Sequence, residues 1–156
     1  TDYGELIAQI KDFNQTFVSR GLCLIPLQVK KERALLYLFR PAELEQDLQD
    51  SLALNILKHA GYPEGCANKY LACLVKRFRE QSDFPHEIGL FLNYPPEDVK
   101  GFIDNRAENC KYAGMWKVYG DVEKAQKMFR SYKKCTETYC RLWKQGVCMD
   151  RLAVRG

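Results

Sequence analysis

Between Phe84 and Asp104 the chain reads FPHEIGLFLNYPPEDVKGFID, and three prolines in twenty-one residues leave this stretch few ways to fold. Proline has no N–H and a fixed φ, so it is tolerated in the first turn of a helix and stops a helix that reaches it from upstream. Pro85 is therefore expected to open a short helix with Ile88, Leu90, Phe91 and Leu92 on its apolar side, and Tyr94 and Pro95 to end it. Pro96 then opens a second helix, where Glu97 and Asp98 sit near the positive end of the dipole and Val99, Phe102 and Ile103 recur at helical spacing. The prediction is a helical hairpin over residues 84–105.

That hairpin overlays a helix-turn-helix pattern, with Ile88, Leu92, Val99 and Phe102 as buried positions, Gly89 as the small residue and Asn93 in the turn. A recognition helix reads base edges with Arg, Lys, Asn or Gln near its N-terminus. Here that end carries Glu97 and Asp98, and four acidic residues stand against the single Lys100 over 84–104. The charges favour a packed hairpin over a DNA reader.

The flanks supply regular elements. Leu6, Ile7, Ile10, Phe13, Phe17 and Val18 form a helical stripe over 3–20, opposite Glu5, Lys11 and Asp12, with Gly21 as the stop. Two apolar runs, 22–29 and 34–39, flank the charged cluster Lys30, Lys31, Glu32 and Arg33 and predict a β-hairpin. Pro26 makes the first strand an edge, whereas ALLYLF is apolar on both faces and is expected to be covered on both. Pro41 opens a helix with Leu44 and Leu48 inward, continued or restarted over 51–60 and ended by Gly61; His59 in its last turn reads as a surface or capping histidine. Residues 65–80 form another helix, with Tyr70, Leu71, Leu74, Val75 and Phe78 inward.

MWKVY at 115–119 is short, aromatic and β-branched enough for a third strand. Asp121 caps a final helix over 121–145, stopped by Gly146, with Val122, Ala125, Met128, Phe129, Tyr132, Cys135, Tyr139 and Leu142 as its buried stripe. The expected architecture is α+β and predominantly helical. About six helices pack with a small three-stranded sheet, made of hairpin 22–39 and strand 115–119, in a single domain over 1–156.

A content of 46% hydrophobic and 28% charged residues is ordinary for a globular protein. No run approaches eighteen apolar residues, and TDYGELIAQIKDF has neither the basic nor the apolar region of a secretory leader; the expectation is a cytoplasmic chain with no membrane partner. Residues 1–105 carry twelve Lys and Arg against fifteen Asp and Glu, residues 106–156 twelve against five. The basic third could meet an acidic partner or nucleic acid, but it reads better as the solvated face of a long helix. The seven cysteines, Cys23, Cys66, Cys73, Cys110, Cys135, Cys140 and Cys148, include no CxxC pair, and neither histidine is placed to complete a zinc site. Reduced thiols and no metal are expected; a thiolate centre would draw on Cys110, Cys135, Cys140 and Cys148.

FPHEIGLFLNYPPEDVKGFIDN, followed by WKVYGD, F-x-x-Y-x-x-C at Phe129, Tyr132 and Cys135, and GYP at Gly61 to Pro63, resembles the bacterial domain of unknown function three-seven-nine-three, found largely in anaerobic, clostridia-type bacteria. The resemblance covers most of residues 20–146. Asn93 stands where the family has Gly, and Asn also tolerates a left-handed turn. The resemblance implies a reducing cytosol and brings no activity or cofactor with it.

The residues with chemistry to spare are His86, Glu87, Tyr94, Trp116, Lys117 and Tyr119. His and Glu can move or orient protons, Lys can hold an anion, and Trp or Tyr can stack on a planar ligand. Trp116 and Tyr119, three apart in a strand, are expected on opposite faces. G-x-S-x-G, P-loop, G-x-G-x-x-G and HExxH motifs are all missing from the sequence. The favoured expectation is non-catalytic binding of a small molecule or a protein partner beside the central hairpin and the WKVY strand. The alternatives are a small enzyme with His86 and Glu87 as its acid–base pair, or nucleic-acid binding through the basic final helix.

Overall fold

The computed structural model describes residues 3–31, 33–80 and 83–153, so Glu32 of the charged turn lies outside the described residues. In chain order the elements are α1 (Tyr3–Phe17), β1 (Cys23–Lys30), β2 (Arg33–Phe39), α2 (Pro41–Asp47), α3 (Ser51–His59), α4 (Ala67–Glu80), α5 (Ile88–Phe91), α6 (Pro96–Asp104), β3 (Tyr112–Ala113), β4 (Lys117–Val118), α7 (Val122–Lys144) and α8 (Met149–Leu152). The fold is α+β and mostly helical. Eight α-helices among the described residues replace the six expected. The Asp50 carboxylate accepts from the N–H groups of Leu52 and Ala53 and so starts a new helix inside 41–60. The short α5 and α8 each close about one turn.

Gly61, at φ 82°, ends α3: its N–H donates to Lys58 and that of Tyr62 to Leu57, both at 3.0 Å. These are the paired bonds of a Schellman end, which needs the left-handed residue that glycine supplies. The turn drives Tyr62 into the core. There Leu27 and Tyr37 of the hairpin meet Leu44, Leu48, Leu57, Leu74, Phe78, Leu90, Phe91 and Val99. The Tyr37 hydroxyl donates to the Phe91 carbonyl, which ties the hairpin to α5.

Burial lifts the Tyr37 and Tyr62 hydroxyls well above the ordinary tyrosine value, helped by the charge of Asp47 at the first and of Glu87 at the second. Above the ordinary value of about 10 the unfolded tyrosines lose protons that the folded ones keep, so stability is full below it and falls above it by about 1.4 kcal/mol per pH unit for each ring. Urea midpoints at alkaline pH should show this decline, and Tyr62→Phe should leave only the Tyr37 share of it. A midpoint that holds steady through that range would contradict the burial argument.

Four expectations need correction. β4 does not join the hairpin: it pairs antiparallel with β3, Ala113 against Lys117 and Tyr112 against Val118, giving two separate two-stranded sheets. The chain reverses too soon to travel farther, with Gly114 N–H donating to Trp116 O at 3.0 Å, and a Cβ on Gly114 would lie 2.2 Å from the Phe129 ring. Without a third strand, β2 is covered on one face only; Tyr37 is buried, while Leu36 and Leu38 are 40% and 52% exposed. α7 is buried only at Ala125, and Cys135 and Tyr139 of its stripe are exposed, because the cluster beneath it ends at Tyr132. Val18 and Leu92 also face solvent: the first falls in a 3-10 turn whose tighter period rotates it off the α1 stripe, the second in the turn after α5.

Candidate functional site

The site is built around Asp98, in the first turn of α6 and 3% exposed. One carboxylate oxygen accepts from the indole Nε1 of Trp116, the other from the backbone N–H groups of Tyr119 and Gly120, all at 2.7 Å. Three charge-assisted bonds from one buried carboxylate lock the β4 end onto α6. Close approach is possible because Gly101 and Gly120 have no side chain: a Cβ at the first would sit 2.4 Å from Tyr119, and at the second 2.5 Å from Glu97. Trp116 then stacks on Tyr94, with centroids 4.6 Å apart and planes at 24°, and presents an edge contact to Phe129 at 4.4 Å.

Between α5, α6 and the β3–β4 ribbon this leaves a cavity of about 530 Å³ with Trp116, Tyr94, Ile88, Val99 and Phe102 in its walls. Phe84, Leu92 and Met115 stand round it at 56%, 43% and 57% exposure. Of the predicted site residues, His86, Tyr94, Trp116 and Lys117 all line this one space. His86 is exposed, with its ring 5.2 Å from Phe102 and 6.3 Å from Phe84. The Lys117 ammonium donates to the Ala107 carbonyl at the edge of the space. Tyr119 is elsewhere: its ring rests on Gly101 and its hydroxyl donates to the Glu108 carbonyl.

Glu87 has a different occupation. It is 5% exposed, accepts from the Tyr62 hydroxyl at 3.0 Å, and lies 2.9 Å from Arg77 Nε. The Arg77 guanidinium sits 5.2 Å over the Tyr62 ring and donates to the Ala60 carbonyl at 2.6 Å. The carboxylate is thus engaged by a cation and a hydroxyl, while its neighbour His86 faces solvent. A second, larger space of about 820 Å³ is bordered by His59, Arg77, Glu80, Lys100 and Asp104, brings Glu87 and His86 into one wall, and shares Phe84 and His86 with the first. His59 holds the Asn55 carbonyl of its own helix through Nδ1 at 2.8 Å, as a capping histidine does.

Sequence reasoning missed Asp98 and Arg77. The sequence ties Asp98 to the helix dipole, and no local pattern marks a carboxylate whose donors come 18 to 22 residues later. All seven cysteines are free, and among the described residues no group of three or more His, Cys, Asp and Glu is gathered to hold a metal ion. Among those residues no helix is long and apolar enough to cross a membrane. A family model, described as a protein of unknown function (DUF3793), matches residues 3–153. No curated protein and no solved structure matches the chain.

Proposed function

The chain belongs to the protein family of unknown function DUF3793, and we propose that it is a non-catalytic binding protein whose cavity beside Trp116 takes a planar, apolar group of a small molecule or of a protein partner. The observation that carries this is the ring of exposed Phe84, Leu92 and Met115 around a pocket lined by Trp116 and Tyr94. Large apolar side chains held open about a concave, mostly apolar space mark a binding surface. His86 and Lys117 stand in the same walls and suit an anionic substituent on that group. What supports binding over acid–base catalysis is the commitment of Glu87 to Arg77 and Tyr62. Free thiols at exposed Cys66, Cys135, Cys140 and Cys148 fit the reducing cytosol of the anaerobic bacteria in which the resemblance sets the chain.

The test is titration with anilinonaphthalene sulfonate, an anion with a planar apolar naphthalene ring, in a Trp143→Phe background so that Trp116 alone reports. Binding should quench Trp116. Leu92→Glu and Met115→Glu should each weaken binding about tenfold or more, a loss of roughly 1.4 kcal/mol, with the urea midpoint unchanged. His86→Ala should weaken it while leaving folding intact. Probe affinity indifferent to all three changes would sink the proposal.

A further inference from the structure

The β1–β2 hairpin has two outer edges, and only one is guarded. Along β1 the Asn14 side chain stands in for a strand, its Nδ2 donating to Leu24 O at 2.9 Å and its Oδ1 accepting from Leu24 N–H at 2.8 Å. Pro26, which has no N–H, and a bulge between Pro26 and Gln28 interrupt the same edge. These are common devices for keeping a sheet edge from pairing with another chain. β2 has none of them. It is seven residues long, RALLYLF, without proline and with its single charge at the first position.

The direction of its free groups follows from the ladder. Leu24 turns its N–H and C=O toward Asn14, away from β2, so its partner Leu38 turns its own away from β1. By alternation Ala34 and Leu36 do the same. Among the described residues, backbone bonding outside the hairpin reaches none of these three. The chain also exposes 10638 Å², whereas a monomer of 18.1 kDa exposes about 8,100 Å². The surplus, about 2,500 Å², exceeds the roughly 800 Å² that each partner covers in an interface of standard size.

We propose that β2 pairs antiparallel with β2 of a second copy of this chain, centred on Leu36, joining two hairpins into one four-stranded sheet. Two identical antiparallel strands are related by a two-fold axis, so one edge is its own complement. Centring on Leu36 sets Leu36 against Leu36 and Ala34 against Leu38 on either side, so every outward N–H and C=O of the three residues meets an outward group. Arg33 then falls opposite Phe39, and the two copies' charges stand at opposite ends. On the face of Leu36 and Leu38 the pairing makes a continuous apolar strip, beside the groove that Leu38 lines together with Tyr139, Trp143 and Met149 in each copy.

Sedimentation velocity of the full chain at roughly 1 and 100 µM tests this, since a dimer's population follows concentration. The expected species at the higher concentration has twice the 18.1 kDa mass, and its Ala34, Leu36 and Leu38 amides exchange slowly with solvent, faster on dilution. Leu36→Lys sets two lysines face to face across the axis and should raise the dissociation constant about tenfold. Leu36→Pro removes an outward N–H without touching the ladder to β1, and should also give monomer with an unchanged circular dichroism spectrum. A monomer at 100 µM, a dimer that survives both changes, a dimer whose three amides exchange fast, or open-ended aggregation would each overturn the proposal.

Discussion

Asp98→Ala should cost about 4 kcal/mol or more, a large part of the 5–15 kcal/mol that holds a domain of this kind together. The substitution leaves three donors that a buried carboxylate had satisfied: the indole N–H of Trp116 and the backbone N–H groups of Tyr119 and Gly120. Each bond to a charged acceptor contributes about 1.5–3 kcal/mol, and an orphaned buried donor has its own desolvation cost. Asp98→Asn is the graded version. Its one carbonyl oxygen can still serve the two backbone groups, but its NH₂ faces the Trp116 donor, so about 2 kcal/mol should be lost. Urea unfolding followed by Trp emission gives both numbers, and the native emission of Trp116 should shift to the red as the ribbon loosens. An alanine variant within about 1 kcal/mol of the parent would show that the ribbon is held by packing alone.

Glu87→Gln and Arg77→Met should each cost about 3 kcal/mol, because either leaves the other charge or its hydrogen-bonding partners uncompensated in a largely buried site. Glutamine keeps an acceptor for the Tyr62 hydroxyl, and methionine keeps a side chain over the Tyr62 ring, so the double variant removes the charges and the Arg77 bond to the Ala60 carbonyl and little else. Its cost should therefore fall short of the sum of the two single costs by about 2 kcal/mol. A double-mutant cycle measured by urea unfolding gives that coupling directly. Strict additivity would mean that the 2.9 Å approach of Arg77 to Glu87 contributes nothing to folding. Probe binding in the Trp116 cavity should persist in the folded population of all three variants, which separates this pair's role from that of His86.

The elements of the fold that were legible in the sequence are those set by local chemistry. Pro96 opened α6, Asp121 capped α7 through the Lys124 N–H, and Gly21, Gly61 and Gly146 ended their helices at positive φ. Asn93 took the left-handed conformation its turn demanded, at φ 58°. What was not legible depended on partners remote in sequence. MWKVY has the composition of a strand, but nothing in it says whether the other strand lies four residues back or eighty. ALLYLF looks doubly covered because its residues are apolar, yet coverage depends on whether another element arrives. His86, Tyr94, Trp116 and Lys117, singled out by chemical type, line one space. Glu87 was chosen by the same criterion and is spent on Arg77, a residue that reads locally as one more charge at the end of a helix.

Phe84 and His86 belong to the walls of both spaces beside α6, the one under Trp116 and the larger one bordered by His59 and Asp104. Both rings are exposed and packed edgewise or at a tilt on their neighbours. They are walls common to two spaces, so a ligand that displaced either ring in one of them would move part of the wall of the other.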